Sequence, residues 1–376
     1  MATAPAATTL AAAIACAVLV LPSADSFFIT PAARVPCLAG RRAVGCSTFS
    51  VQRRTELTAT TTSDAGVVLD EKRRMRIDTL SFDLDGTLWP TEEVVWAAND
   101  KMTEFLNQRF PGTPDAKKVQ SVMKDIRQRR REEAEAAGTR AAPVSYTELR
   151  LSALELVTLE AGFSPKEAEQ AAQGAFQKWL DERNAAAGRL LFEGVQDMLS
   201  DLRRRYPSMR VCAITNGRGD VNRIPQLAEF FDFSISGEDE QVFPHRKPSE
   251  KIYVAAINRV LADQKGPCAT TQGGEDTQAA TRLPVSKEEK EAFASSTERW
   301  VHVGDDLAND VGPARKLGMR TVLVEADMSW RQGISTMSPE EEAQRLAQAA
   351  AARPHASIAK IASLPAVIDA WSTGST

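Results

Sequence analysis

The chain has 376 residues, 46 basic against 50 acidic side chains, a formal charge of −4 and 43% hydrophobic residues. That apolar share is enough to bury a core, which excludes disorder throughout, and the slight acidic excess argues against a general nucleic-acid binder. Five cysteines are too few and too scattered for a disulfide scaffold, and Cys212 and Cys268, the two beyond residue 63, form no CxxC pair that would suit structural zinc.

Residues 1–63 hold two acidic residues (Asp25 and Glu56), five arginines and no lysine. The apolar run Leu10–Leu21 is twelve residues long, too short to span a bilayer but matched to a signal-peptide core. Ala24-Asp25-Ser26 supplies a small-residue cleavage site, and Phe27-Phe28 open an Arg-, Ser- and Thr-rich stretch that reads as a transit peptide. A signal plus transit leader of this order resembles that of algae with secondary plastids. It implies a plastid location and no membrane span in the mature chain.

Beyond the leader, Ile77–Leu84 predicts a short buried strand that ends at acidic residues. Residues 91–206 carry no strand pattern. Val94, Val95, Ala98, Met102, Phe105 and Leu106 recur at helical spacing. Ser145-x-x-Glu148 and Ser164-Pro165-x-Glu167 are capping boxes, with Gly162 and Gly188 as expected stops. The arginines at 127 and 129–131, followed by Glu132 and Glu133, read as a solvated helix face. The stretch 91–206 is therefore expected to be an all-helical module inserted after the first strand. Strands follow at Val211–Ile214 and Phe233–Ser236, then a helix at Glu250–Leu261 opened by Pro248 and Ser249. Residues 263–298 are rich in Gly, Thr, Gln and charge, and predict a flexible insertion with a helical turn or two over Ser286–Phe293. The last strands are Trp300–Val303, with His302 packed inside it, and Thr321–Val324. His245 and His355 are expected at the surface. Strands alternating with helices imply an α/β fold, a doubly wound parallel sheet formed by residues 77–90 and 207–371.

Four segments sit at or just past these strands: Asp83-Leu84-Asp85-Gly86-Thr87, Thr215-Asn216-Gly217, Lys247-Pro248, and Gly304-Asp305-Asp306 continuing to Asp310. In an open parallel sheet, the strand ends form the ligand crevice. The residue types suit hydrolysis of a phosphate ester, which needs a nucleophile, a proton donor for the leaving group and neutralisation of charge. Carboxylates gathered in one cleft also call for a cation such as Mg²⁺, which prefers oxygen ligands.

Taken in order, the four segments resemble the motifs of the haloacid dehalogenase-like hydrolase superfamily over about residues 77–371. The resemblance implies Asp83 as nucleophile and Asp85 as general acid and base. It implies Thr215 and the Asn216 N–H as phosphate ligands, and Lys247 as the positive charge on the phosphoryl group. Mg²⁺ would be held by Asp83, Asp305 and the Asp85 carbonyl, with Asp306 and Asp310 supporting the metal waters or Lys247. A helical insertion between the first two motifs implies a cap of the kind that selects small-molecule substrates. A halide leaving group needs no proton, so Asp85 points to phosphate esters. Phe82–Thr91 with Trp96–Asp100 is similar to chloroplast flavin mononucleotide (FMN) hydrolases. Ile214–Gly217 and His302–Leu307 are similar to bacterial phosphatases that act on FMN and on 5-amino-6-(5-phosphoribitylamino)uracil. Gly86 departs from that group, which often has a second Asp there. A phosphomutase and a non-catalytic ligand-binding protein share these motifs and stay open at this point. Trp89 either lines the substrate entrance or packs against the cap.

Overall fold

The structure, a computed structural model, describes residues 68–69, 75–139, 141–264, 279–325, 343 and 347–372. The leader read in residues 1–63 lies outside the described residues, as does the 265–278 part of the expected insertion.

Seven strands form one sheet: β1 (Val68–Leu69), β2 (Thr79–Phe82), β3 (Arg210–Thr215), β4 (Phe233–Ser236), β5 (Trp300–Gly304), β6 (Arg320–Val324) and β7 (Ala356–Ile358). Their order is β1-β7-β6-β5-β2-β3-β4. β1 runs antiparallel to β7, and the other six strands are mutually parallel. From central β2 the chain fills one side with β3 and β4, then returns to fill the other. The reversal leaves a crevice at the strand ends around β2, β3 and β5.

Side-chain alternation along the strands explains why helices cover both faces. Leu80, Phe82, Val211, Ala213, Val301 and Val303 point into one apolar cluster. Helices α5 (Val195–Arg205) and Leu364–Trp371 cover it with Leu199, Leu202, Leu364 and Ile368. Cys212, Ile214 and Trp300 belong to the cluster on the opposite face, which α6 (Glu250–Gln264), α7 (Lys287–Thr297) and α8 (Gly312–Lys316) cover. This is the α/β doubly wound sheet implied by the sequence.

Between β2 and β3 lie α1 (Thr91–Arg109), α2 (Ala116–Ala136), α3 (Tyr146–Glu160) and α4 (Pro165–Arg189). They bury a separate core of Met102, Leu106, Val119, Leu154, Val157 and Trp179. Ser145 and Ser164 accept the N–H groups of Glu148 and Glu167 at the starts of α3 and α4. The four-helix unit ends at Arg189 rather than at 206, because Val195, Met198, Leu199 and Leu202 of α5 face the sheet rather than the cap helices. α4 itself ends one residue past Gly188. The helical turns expected over Ser286–Phe293 extend to Thr297 as α7, with a full capping box between Ser286 and Glu289 and Phe293 packed on the α6 side of the sheet. The short outer strands β1 and β7 carry no signal that the sequence expectation used.

Candidate active site

The parallel register places the two acidic strand ends side by side. Phe82 pairs with Val303, and the Asp83 N–H donates to the Val303 carbonyl at 2.8 Å. Asp83 therefore leaves β2 level with the end of β5, where Asp305 follows Gly304. A tight turn comes next, with the Gly86 N–H bonded to the Trp89 carbonyl at 2.9 Å. Gly86 has φ +84°, and a Cβ there would meet Asp305 Oδ2 at 2.7 Å. A side chain at position 86 would therefore be strained and would press on the Asp305 carboxylate.

Lys247 reaches the same point from the loop after β4. Its Nζ donates to Asp83 Oδ1 at 2.5 Å and to Asp310 Oδ1 at 2.7 Å, all three groups buried. Asn216 holds that loop reciprocally: its Oδ1 accepts the Lys247 N–H at 2.7 Å and its Nδ2 donates to the Lys247 carbonyl at 3.0 Å. Thr215 closes β3, and its buried hydroxyl accepts the Gly217 N–H at 3.1 Å.

The charges perturb one another. Burial raises the Asp83 pKa well above the usual carboxylate range; Lys247 opposes this, while Asp310 and Asp305 add to it. Burial alone would lower Lys247, but Asp310 and Asp83 hold it above its ordinary value. Burial would likewise raise Asp310, yet Lys247 and His302 bring it down. An oxygen from each of Asp83, Asp305 and Asp310 lies within 4.8 Å of the others. Three buried carboxylates facing one ammonium form an all-oxygen, over-negative donor set, and this suits a hard divalent cation such as Mg²⁺.

The remaining expected residues fall into different roles. Asp306 turns its carboxylate onto the Ala308 and Asn309 N–H groups, capping the π-type turn Leu307–Val311, while its own N–H donates to Asp310. His302 is fully buried between Ser81 (Nδ1 to Oγ, 2.8 Å) and Tyr253, with Asp310 at 3.4 Å from Nε2. Burial lowers its pKa. Trp89 is buried and donates its indole N–H to Asp85 Oδ1 at 2.9 Å.

One site residue escaped sequence reading altogether. Arg183 of α4 is only 3% exposed, and its Nη2 donates to both Asp85 oxygens, at 2.8 and 2.5 Å. It sits 98 positions from Asp85 inside an ordinary helical pattern, so no local motif marks it. Its neighbour Arg150 stacks on Trp179 at 3.8 Å, and burial with the Arg183 charge lowers Arg150 to about 9.

A family model described as haloacid dehalogenase-like hydrolase matches residues 77–270, and a second hydrolase model of the same kind matches 245–359. The chain is 25% identical over 285 residues to the 5-amino-6-(5-phospho-D-ribitylamino)uracil phosphatase YigB of Escherichia coli K12, spanning 72% of this chain and 94% of that protein. Its fold is similar to the crystal structure of a 2-haloacid dehalogenase from Pseudomonas syringae pv. tomato DC3000, with a TM-score of 0.52 and 23% identity over 79% of this chain and all of that one. With a matching family model over more than half its length, and with these strand-end acids, the chain belongs to the haloacid dehalogenase-like hydrolases.

Proposed function

We propose that the chain is a Mg²⁺-dependent phosphatase that hydrolyses a small-molecule phosphomonoester through an aspartyl-phosphate on Asp83. FMN and 5-amino-6-(5-phosphoribitylamino)uracil are the substrates to try first. The observation that carries this reading is a buried nucleophile candidate, Asp83, bonded to Lys247, with a second acid, Asp85, two residues on. A dehalogenase would have no use for that second acid. The similarity to a protein named as a phosphatase supports the same choice.

In this mechanism an Asp83 oxygen attacks phosphorus and the bond to the alcohol oxygen breaks. Asp85 gives that oxygen a proton, then takes one from the water that cleaves the aspartyl-phosphate. Lys247 holds positive charge against the phosphoryl oxygens, where a water-poor setting strengthens its effect. The Thr215 hydroxyl and the Asn216 N–H orient the phosphate. Asp83, Asp305 and Asp310 present the donors for Mg²⁺, which would neutralise charge on the phosphoryl group. The cap shields the reaction from bulk water.

The purified chain should release phosphate from an aryl phosphate and from at least one of the two flavin-pathway phosphates. Asp83→Asn should lower release by at least about 10³-fold, since the nucleophile is lost. Unchanged release in that variant sinks the mechanism. Chelation with EDTA should stop the wild-type reaction and added Mg²⁺ should restore it, whereas full activity in chelator removes the metal from the reading.

A further inference from the structure

We propose that Arg183 is a positioning residue for the reaction: a cap-borne guanidinium that fixes the Asp85 carboxyl group, so that the site is complete only with the cap seated on the sheet. This rests on the phosphatase reading for its kinetic consequence and on geometry alone for its structural one.

The hydrogen bonds of Arg183 all cross from cap to sheet. Arg183 is carried by α4, yet both its hydrogen bonds go to Asp85. Its Nη1 has no hydrogen-bond partner among the described residues. Within the cap it lies 5.9 Å from the Trp179 ring, measured from the guanidinium carbon, and beside the like charge of Arg150. A guanidinium buried to this extent is costly unless paired. What it pairs with belongs to the other half of the molecule.

Asp85 shows the complementary picture. Its carboxylate receives Arg183 on both oxygens and the Trp89 indole on Oδ1. Removal of Arg183 would leave a single hydrogen bond to hold a group that needs about 0.5 Å precision to exchange a proton with a leaving oxygen.

The loop after β3 is shaped around this contact. A Cβ at Gly219 would lie 2.8 Å from Arg183 Nη1 and 3.4 Å from Trp89 Cζ2. A Cβ at Gly217 would lie 3.2 Å from both Arg183 Nη2 and Asp85 Oδ2. Two side-chain-free positions within three residues thus admit the guanidinium between the loop and the catalytic turn.

The test uses the full chain with Mg²⁺ and p-nitrophenyl phosphate, comparing Arg183→Ala and Arg183→Lys with wild type. Arg183→Ala should lower kcat by about 10²-fold, the usual scale of a misplaced proton-transfer group, with KM within about threefold. Guanidinium at millimolar concentration should restore at least about a tenth of the lost kcat in Arg183→Ala and do nothing for wild type or Asp83→Asn. Arg183→Lys should fall between them. An unchanged kcat, a loss confined to KM, or a loss that guanidinium does not relieve overturns the proposal. A second readout separates it from the phosphatase reading. If wild type hydrolyses no phosphate ester, that reading fails, and hydrogen exchange still decides the role of Arg183. Amides of residues 84–89 should exchange at least about tenfold faster in Arg183→Ala, in line with loss of a buried contact. Equal protection in the two proteins overturns the proposal.

Discussion

Lys247 lies between Asp83 and Asp310, within 2.7 Å of both, and the three groups are buried together. Its removal strands two carboxylates of like charge in a low-dielectric site. Lys247→Met should therefore cost about 3–5 kcal/mol of stability, the scale for breaking a buried ion pair, and lower kcat/KM by at least about 10²-fold. Thermal unfolding together with phosphate-release kinetics checks both, and a variant with wild-type melting would show the pair to be unimportant to the fold. This centre was readable at residue scale because each of Asp83, Thr215 and Asp305 stands at or just past a strand end and is flagged by a short motif. Arg183 was not, because its partner lies across the molecule and a helical arginine carries no spacing signal. Nor was the role of the Asn216 side chain, whose amide braces the Lys247 backbone.

At the scale of elements, α7 is longer than the helical turn or two that Ser286–Phe293 suggests: the Ser286–Glu289 capping box opens three turns that end at Thr297. The Glu289 carboxylate accepts the Val285 and Ser286 N–H groups and the Arg282 guanidinium, and these bring its pKa down to about 2. A depressed acid stabilises the folded element above its unfolded pKa and ceases to do so as pH falls through the folded value. Protection of α7 amides in hydrogen exchange should therefore be constant above about pH 5 and decline between about 4.5 and 2. Glu289→Gln should remove that step, and a pH-independent α7 in the wild type would contradict the assignment. The inner strands were the easier part, since each is a short apolar or alternating run, and Val211–Ile214, Phe233–Ser236, Trp300–Val303 and Thr321–Val324 fall within β3 to β6. The end of the helical unit was harder: α5 is amphipathic like the cap helices, and sequence does not say which apolar surface it will choose.

At the scale of the molecule, polar contacts join cap and sheet at several points besides the chain itself, among them Arg223 with Asp181, Arg218 with the Thr147 hydroxyl and the Asp220 N–H with Asn184. One of the buried ones is Arg183 on Asp85. A second is Glu238, just past β4, whose buried carboxylate accepts the Tyr146 and Thr147 N–H groups and the Thr147 hydroxyl. A residue of the sheet half thus satisfies the N-terminal donors of cap helix α3. It is ion-paired as well with Arg246, next to Lys247, and Arg246 in turn lies over the Tyr146 ring at 4.1 Å. Glu238→Gln should weaken this second contact by about 1–3 kcal/mol, the range for a buried hydrogen bond to a charged group. Amides at Tyr146–Glu148 should then exchange faster while those of α1 stay unchanged. Uniform acceleration throughout the cap would point to unfolding instead of release from the sheet.

The two-residue strand β1 bears on where the polypeptide can be trimmed. Val68 and Leu69 pair antiparallel with Ser357 and Ala356, closing the outer border of the sheet on that side. A chain shortened anywhere ahead of residue 68 leaves this border in place. Loss of residues 68 and 69 would strip β7 of its outer neighbour and bare its backbone donors and acceptors, the kind of surface on which chains template one another into aggregates. How far the N-terminus can be shortened before the chain turns sticky is thus set by the sheet itself.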